Sequence, residues 1–445
     1  MTDRNPARGA TRRRFLAAAG SGVAGALAGC GYRPGGGDLA WESSLDTGGL
    51  LGPGATRFAV APDRLFAVRN QSGRTYDFDA ETWRNVENAS VTAVDGSGTT
   101  RLDAETERQA VAPPAVTETS VVVPVEGGRV TAIDREAAGF DPGAREPTGG
   151  TESEEAEADD VRWRADVVES EGGESNEPEG ANESTSSPGI DGVRASARLV
   201  VAVAETDLVA LDAETGDPAF RVTGAWPDGD GSADRIAVDG DDVWAGVAAT
   251  GSEGRSEGGS NDGGTVFARF GSTGERRVTR SLSADADWLA VAGDTIVMGE
   301  AGDRLVGYDR DLARRFELHE GSLPGRPQVV SADGSRFYYS TGGTVRAVDA
   351  AAGELSWERS DLPGGPVAVD QEGMYVAENG SGFGTESQSR TVAVGADGED
   401  RWRAPLPEGV GVDELFAVGG RLIVVDDGEL YGLHATPGER WSLVG

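Results

Sequence analysis

Thr344-Val-Arg-Ala-Val-Asp349-Ala-Ala-Ala-Gly353-Glu-Leu-Ser-Trp357 is the stretch from which the fold is read. Val345, Ala347 and their β-branched neighbours alternate with the two-residue period of a strand. Asp349 ends that strand, because its carboxylate can accept from a backbone N–H two residues on. Gly353 supplies the positive φ that lets the chain turn back. Trp357 closes the return strand with an apolar ring that must be covered. Upstream, Gln328–Ser331, the turn Asp333-Gly334, Arg336–Ser340 and the turn Gly342-Gly343 add two more short strands. Four antiparallel strands in about forty residues make a small sheet with two apolar faces, which needs another copy on each side.

The copies are present. The strand-closing Asp recurs as Asp79, Asp134, Asp212, Asp309 and Asp349, with degenerate versions at Phe270, Gly395 and His434. The spacing is 349 − 309 = 40 residues in one pair and 434 − 395 = 39 in another. The aromatic end of the fourth strand recurs as Trp83, Trp163, Phe220, Phe316, Trp357, Trp402 and Trp441, and Trp41 echoes it near the start. A four-stranded unit with a period near forty predicts an all-β, eight-bladed β-propeller of antiparallel blades, with seven as the fallback count. Because Leu39-Ala-Trp41-Glu42 lacks a preceding blade and Gly438-Glu-Arg-Trp441 ends the chain, one blade is expected to draw on both termini. Arg101-Leu-Asp103 is read as part of an insertion or hairpin between Asn85 and Val111.

Ala347-x-Asp349-x-x-x-Gly353-x-x-x-Trp357 resembles the tryptophan-docking repeat of pyrroloquinoline-quinone-like (PQQ-like) β-propellers. Ala210-x-Asp212-x-x-Thr215-Gly216-x-x-x-Phe220 is similar to it, with Phe for Trp. The resemblance extends from about Leu39 to the C-terminus, although only these two copies are near complete. It implies that each aromatic packs between neighbouring blades. Quinone-dependent dehydrogenases share the repeat, but they resemble one another in a vicinal cysteine pair, and this chain has one cysteine. That argues against bound PQQ. The nearer resemblance is to non-catalytic propeller lipoproteins, such as the bacterial subunit that helps assemble outer-membrane barrels.

The N-terminus reads as an address. Arg12, Arg13, Phe15 and Leu16 lie in Thr-Arg-Arg-Arg-Phe-Leu, which resembles a twin-arginine export motif, and Leu16–Ala28 is too short to span a membrane. Leu27-Ala-Gly-Cys30 matches a lipobox whose cysteine is lipid-modified after cleavage. Residues 1–29 are therefore expected to be a lipoprotein signal peptide and 30–38 a lipidated tether. Residues 39–445 form the propeller, held by lipid on the outer face of the cell membrane.

Composition narrows the partners. The net charge is −36, and all 40 basic residues are arginine. High acidity keeps a protein dispersed in concentrated salt, and the lysine-free composition resembles exported proteins of extreme halophiles. Nucleic acid is excluded for want of a basic footprint. Segments near 140–160, 169–192 and 250–263 are rich in Glu, Gly and Ser, and are expected to be disordered inserts on one rim.

Two histidines, His319 and His434, leave no Ser-His-Asp arrangement, and no catalytic, metal or cofactor-binding residue is assigned. Calcium is considered only at Asp239-Gly-Asp241-Asp242 and Asp426-Asp427. The expected function is a binding or scaffolding module with a protein partner at the cell envelope. The alternative is a quinone-dependent alcohol or sugar dehydrogenase with its site in the channel.

Overall fold

The computed structural model describes residues 34–45, 56–77, 82–136, 160–168, 189–229, 231–248, 265–282, 286–300, 304–319, 329–341, 344–362, 365–380 and 388–437. These form eight four-stranded antiparallel sheets, arranged as the blades of one propeller. Blades 1 to 7 span 56–105, 115–166, 190–222, 236–281, 286–319, 329–359 and 367–405. Blade 8 takes three strands from 414–434 and its fourth from Leu39–Ser44, with Trp41 opposite Gly432. Two backbone bonds, Gly37 N–H to His434 O at 2.8 Å and His434 N–H to Asp38 O at 2.9 Å, tie the N- and C-terminal segments there.

Each second strand is an apolar run because both of its faces meet another blade. Ser120–Val125, Leu199–Ala204 and Thr295–Glu300 are buried along their whole length. The buried apolar residues sort into eight clusters, and each cluster straddles two adjacent blades. No blade has a core of its own. With a buried Val or Leu worth roughly 1.5–3 kcal/mol, stability lies almost wholly in the seams.

A meander fixes which loops share an end. First-to-second and third-to-fourth turns lie on one face, here the lower. Second-to-third loops and blade-to-blade connections lie on the upper face. The segment after Glu136 belongs to a third-to-fourth connection, on the lower side. Those after Val168 and Ala248 leave from the upper side. The three inserts therefore leave from both faces, contrary to the single rim expected from sequence. The inserts lie outside the described residues, apart from Asp160 and 189–192, of which 190–192 belong to the strand Ile190–Ala195.

Blade 1 corrects the sequence reading. Its third strand ends at Asp95, where Asp95 Oδ1 accepts from the N–H groups of Ser97 (2.8 Å) and Thr99 (3.1 Å). Its fourth strand is Thr100–Glu105, where the sequence reads as part of an insertion or hairpin. Asp79 lies outside the described residues. Tyr76 and Trp83 imitate the repeat spacing, but they fall near the end of a long hairpin, and Phe78 lies outside the described residues. The better signal was Ala93-Val-Asp95-Gly-Ser-Gly98, which repeats Ala-x-Asp and carries Leu in the aromatic slot.

Candidate functional site

Every blade carries a docking position in the same place. On the third and fourth strands of each blade a docking residue faces a third-strand residue, followed by a β-bulge. Trp163, Phe220, Trp357 and Trp402 face Ala132, Ala210, Ala347 and Ala393, whereas Phe316 and Trp41 face Gly307 and Gly432. A Cβ on Gly307 or Gly432 would run into the ring opposite.

The ring then crosses to the next blade. Trp41, Trp163, Trp357 and Trp402 donate Nε1–H to the carbonyls of Gly96 (2.9 Å), Ala213 (3.1 Å), Ala396 (3.2 Å) and Ala435 (2.8 Å). Each acceptor follows the head of the next blade's third-strand turn. The ring faces lie on a glycine of the same turn: Gly98 under Trp41, Gly216 under Trp163, Gly398 under Trp357 and Gly353 under Phe316. Those glycines have φ between +70° and +86°, and no side chain fits there without moving the ring. Asp212 and Asp349 hold the turns, since each Oδ1 accepts from the N–H groups two and three residues on. Trp83 takes no part in a seam. Its side chain is 62% exposed. Trp441, Cys30, Arg12, Arg13, Phe15 and Leu16 lie outside the described residues.

Trp83 stands on the largest departure from the repeat. The second and third strands of blade 1, Arg64–Asp77 and Thr82–Asp95, stay paired for fourteen positions. The first strand reaches only Arg69 and the fourth only Ser90. The segments 70–77 and 82–89 thus form a two-stranded arm of about 26 Å beyond the upper face, at about 3.3 Å per residue. Its base is fastened: Asn70 donates Nδ2–H to Ala110 O (2.9 Å) and accepts from Ala110 N–H (2.7 Å). Asn88 donates to Glu105 at 2.9 Å. Among the described residues no third strand pairs with either edge of the arm past that base.

The acidic turns considered for calcium are engaged by other groups. Asp239 meets Arg310, Asp241 meets Arg198 at 2.9 Å, and Asp242 meets Arg269 at 2.8 Å. Asp426 Oδ2 accepts from Gly411 N–H. Among the described residues no three His, Cys, Asp or Glu side chains are grouped to hold a metal ion. A shallow cleft of about 250 Å³ between blades 6 and 7 is lined by Asp333, Arg336, Tyr338 and Asp370. Hydrogen bonds from Ser331 and Ser335 hold the Asp333 carboxyl down at about 2. At the upper ends of the first strands, burial raises the Asp191 carboxyl, and burial together with Asp413 raises Glu414. No helix among the described residues is long and apolar enough to cross a membrane.

The geometry defines the class: an eight-bladed β-propeller closed by its N-terminal strand. Residues 341–444, the last quarter of the chain, match the family described as outer membrane protein assembly factor BamB. No curated protein sequence matches the chain. Among solved structures, BamB from Moraxella catarrhalis is 14% identical, covering 89% of this chain and 97% of its own, with a TM-score of 0.47. Saccharomyces cerevisiae Sqt1 is 10% identical over 90% of this chain and 100% of its own, with a TM-score of 0.49. A chain of the mitotic checkpoint complex is 11% identical over 72% and 86%, with a TM-score of 0.44.

Proposed function

We propose that this chain is a lipid-anchored, extracytoplasmic propeller that binds a protein partner and acts as a scaffold. The carrying observation is the arm of blade 1, a ribbon whose edges pair with no third strand among the described residues and whose Trp83 is 62% exposed, fixed at its base to the ring. Unpaired strand edges are templates for a partner's strand, and exposed aromatics recur as contact anchors. The match of residues 341–444 to an assembly-factor family supports a module that works through other proteins.

The anchor adds a direction. Gly36 and Gly37 are pinned under Trp402, only 36 − 30 = 6 residues after Cys30, a reach of about 20 Å. The fourth strand of blade 8 starts at the lower face. A lipid on Cys30 therefore holds the lower face toward the membrane and leaves the arm pointing away.

Affinity capture from native membranes in high salt tests the reading. The comparison is between the full chain and a variant in which 71–87 is replaced by an Asn-Gly turn. A stoichiometric partner retained by the full chain and lost with the arm is the expected result. Equal capture by both refutes the assignment to the arm. Cys30→Ser should release the protein to the medium, and Arg12→Lys with Arg13→Lys should block export. Membrane retention of the first, or normal export of the second, defeats the address.

A further inference from the structure

Two of the eight seams are built differently from the rest. At the seam of blades 1 and 2 the docking residue is Leu102, and at that of blades 4 and 5 it is Val278. In the next blade the residue after the turn head is Arg135 in one case and Arg310 in the other. At the six aromatic seams that position is always small: Gly96, Ala213, Gly271, Ala350, Ala396 and Ala435. The exchange is reciprocal. Where the ring is missing, a guanidinium from the following blade reaches back across the seam.

Both arginines make the same contacts. Arg135 bonds Asp63 of blade 1 at 2.6 Å and lies over the Phe66 ring at 5.8 Å. Arg310 pairs with Asp239 of blade 4 and lies over the Trp244 ring at 5.6 Å. Each is backed by a second arginine from the preceding blade. Arg64 bonds Glu136 at 2.8 Å, and Arg269 bonds Asp311 at 2.7 Å. At the second seam Leu312, with φ +62°, stands where five other turns have a positive-φ glycine, and it fills the space the ring would take.

We infer that these two charge-stitched seams are a conformational device. Ion pairs also cross between blades 3 and 4 (Arg194–Asp234, Arg198–Asp241) and between blades 6 and 7 (Arg359–Asp400, Arg403–Asp361), but those seams keep their aromatic ring. Rising ionic strength therefore loosens the ring most where the pairs stand in place of the aromatic, so that blades 2–4 and the remaining five blades move as two arcs. Salt screens partly exposed charge pairs and leaves ring-on-glycine contacts untouched. The carboxylates are open to solvent, Asp63 at 53% and Asp239 at 44% side-chain exposure. All three inserts, near 140–160, 169–192 and 250–263, belong to the three-blade arc, so arc motion would displace them together.

Amide hydrogen exchange of the full chain at about 0.1 M and about 3 M NaCl tests this, since the pairs are barely screened in one and fully screened in the other. Exchange at Leu65–Val68, Val121–Val125, Val243–Val247 and Ile296–Met298 should rise by about tenfold with salt, and the second strands of blades 3, 6, 7 and 8, which border aromatic seams on both faces, should not show that rise. Arg310→Gln and Arg135→Gln should each show the high-salt exchange already at low salt, at its own seam alone. Val278→Phe with Arg310→Ala and Leu312→Gly, which rebuilds an aromatic seam, should remove the salt response between blades 4 and 5. A uniform response around the ring overturns the inference, as does unchanged low-salt exchange in the Gln variants. The wild-type comparison decides by itself if a variant fails to fold.

Discussion

Truncation of three residues separates docking from mere aromaticity: Trp163→Ala, Leu102→Ala and Trp83→Ala. Trp163 is 7% exposed and bonded to Ala213 O, with its ring against Gly216. Losing about 200 Å² of buried apolar surface removes about 5 kcal/mol at 25 cal/mol per Å². Residual burial in the unfolded chain lowers that to about 3–4 kcal/mol. The lost indole bond adds about 1 kcal/mol, so the expected cost is about 4–5 kcal/mol. Leu102, fully enclosed between blades 1 and 2, should cost about 2–4 kcal/mol. Trp83→Ala should cost less than about 1 kcal/mol because most of its surface is already exposed and it fills no seam. Unfolding a ring of this size carries an entropy of about 0.8 kcal/mol/K, so Trp163→Ala should lower Tm by about 5 °C and Trp83→Ala by about 1 °C or less. Thermal and guanidinium unfolding followed by far-UV circular dichroism give the comparison. Equal losses for Trp83 and Trp163 would refute the seam assignment, because they would place the arm's indole in a core.

Three further outcomes follow from the same geometry. Burial disfavours the charged form of Asp95, but bonds from Ser97, Arg101 and Thr99 outweigh it and hold the group at about 2. Its folded pKa lies below the unfolded value, so its contribution is complete above about pH 4 and is lost as pH falls toward 2. Asp95→Asn should therefore be about 1–2 kcal/mol less stable than wild type at pH 6, with the gap closing by pH 2 in urea titrations; a constant gap contradicts the linkage. Gly37→Val should open blade 8, since Gly37 has φ +85° and no room beside Ala404. Limited proteolysis would then cleave near residue 44 faster than in wild type, and unaltered protection would count against closure by the N-terminal strand. Gly398→Ala, also at positive φ and under Trp357, should cost about 1–3 kcal/mol in chemical denaturation, and a neutral result would mean that the ring does not rest there.

The architecture was legible because it depends on local chemistry repeated many times. Asp212 and Asp349 bond their own turns, so a single blade announces itself within ten residues. The sequence reading fails at blade 1 because each strand of its hairpin is about eight residues too long. That length brought Trp83 to the spacing of a docking residue while the true slot held Leu102. An aliphatic side chain there gives no aromatic signal, although Ala93-x-Asp95 remained in the text. The arm could not be recognised from composition either, because a paired ribbon and an irregular insertion use the same polar residues. The arginine seams were hidden for another reason: Arg135 and Asp63 are 72 positions apart, and nothing short of the ring brings them together.

That last point changes what the repeat means. Along the chain, Asp349, Gly353 and Trp357 look like one motif, yet they belong to two seams. Gly353 receives Phe316 from the blade before, and Trp357 seats on Gly398 and Ala396 of the blade after. The unit under physical constraint is therefore the fourth strand of one blade together with the turn of the next. A large ring requires a small turn residue and a positive-φ glycine in the following blade. An aliphatic docking residue leaves room that Arg135 occupies at one seam, and Arg310 with Leu312 at the other. Substituting one side alone leaves either a void or a collision, and only paired changes across a seam can preserve the ring. A single Val278→Trp should accordingly destabilise the protein by the 1–3 kcal/mol typical of overpacking, because Leu312 already fills the site, whereas the same change made with Leu312→Gly and Arg310→Ala should recover most of that loss.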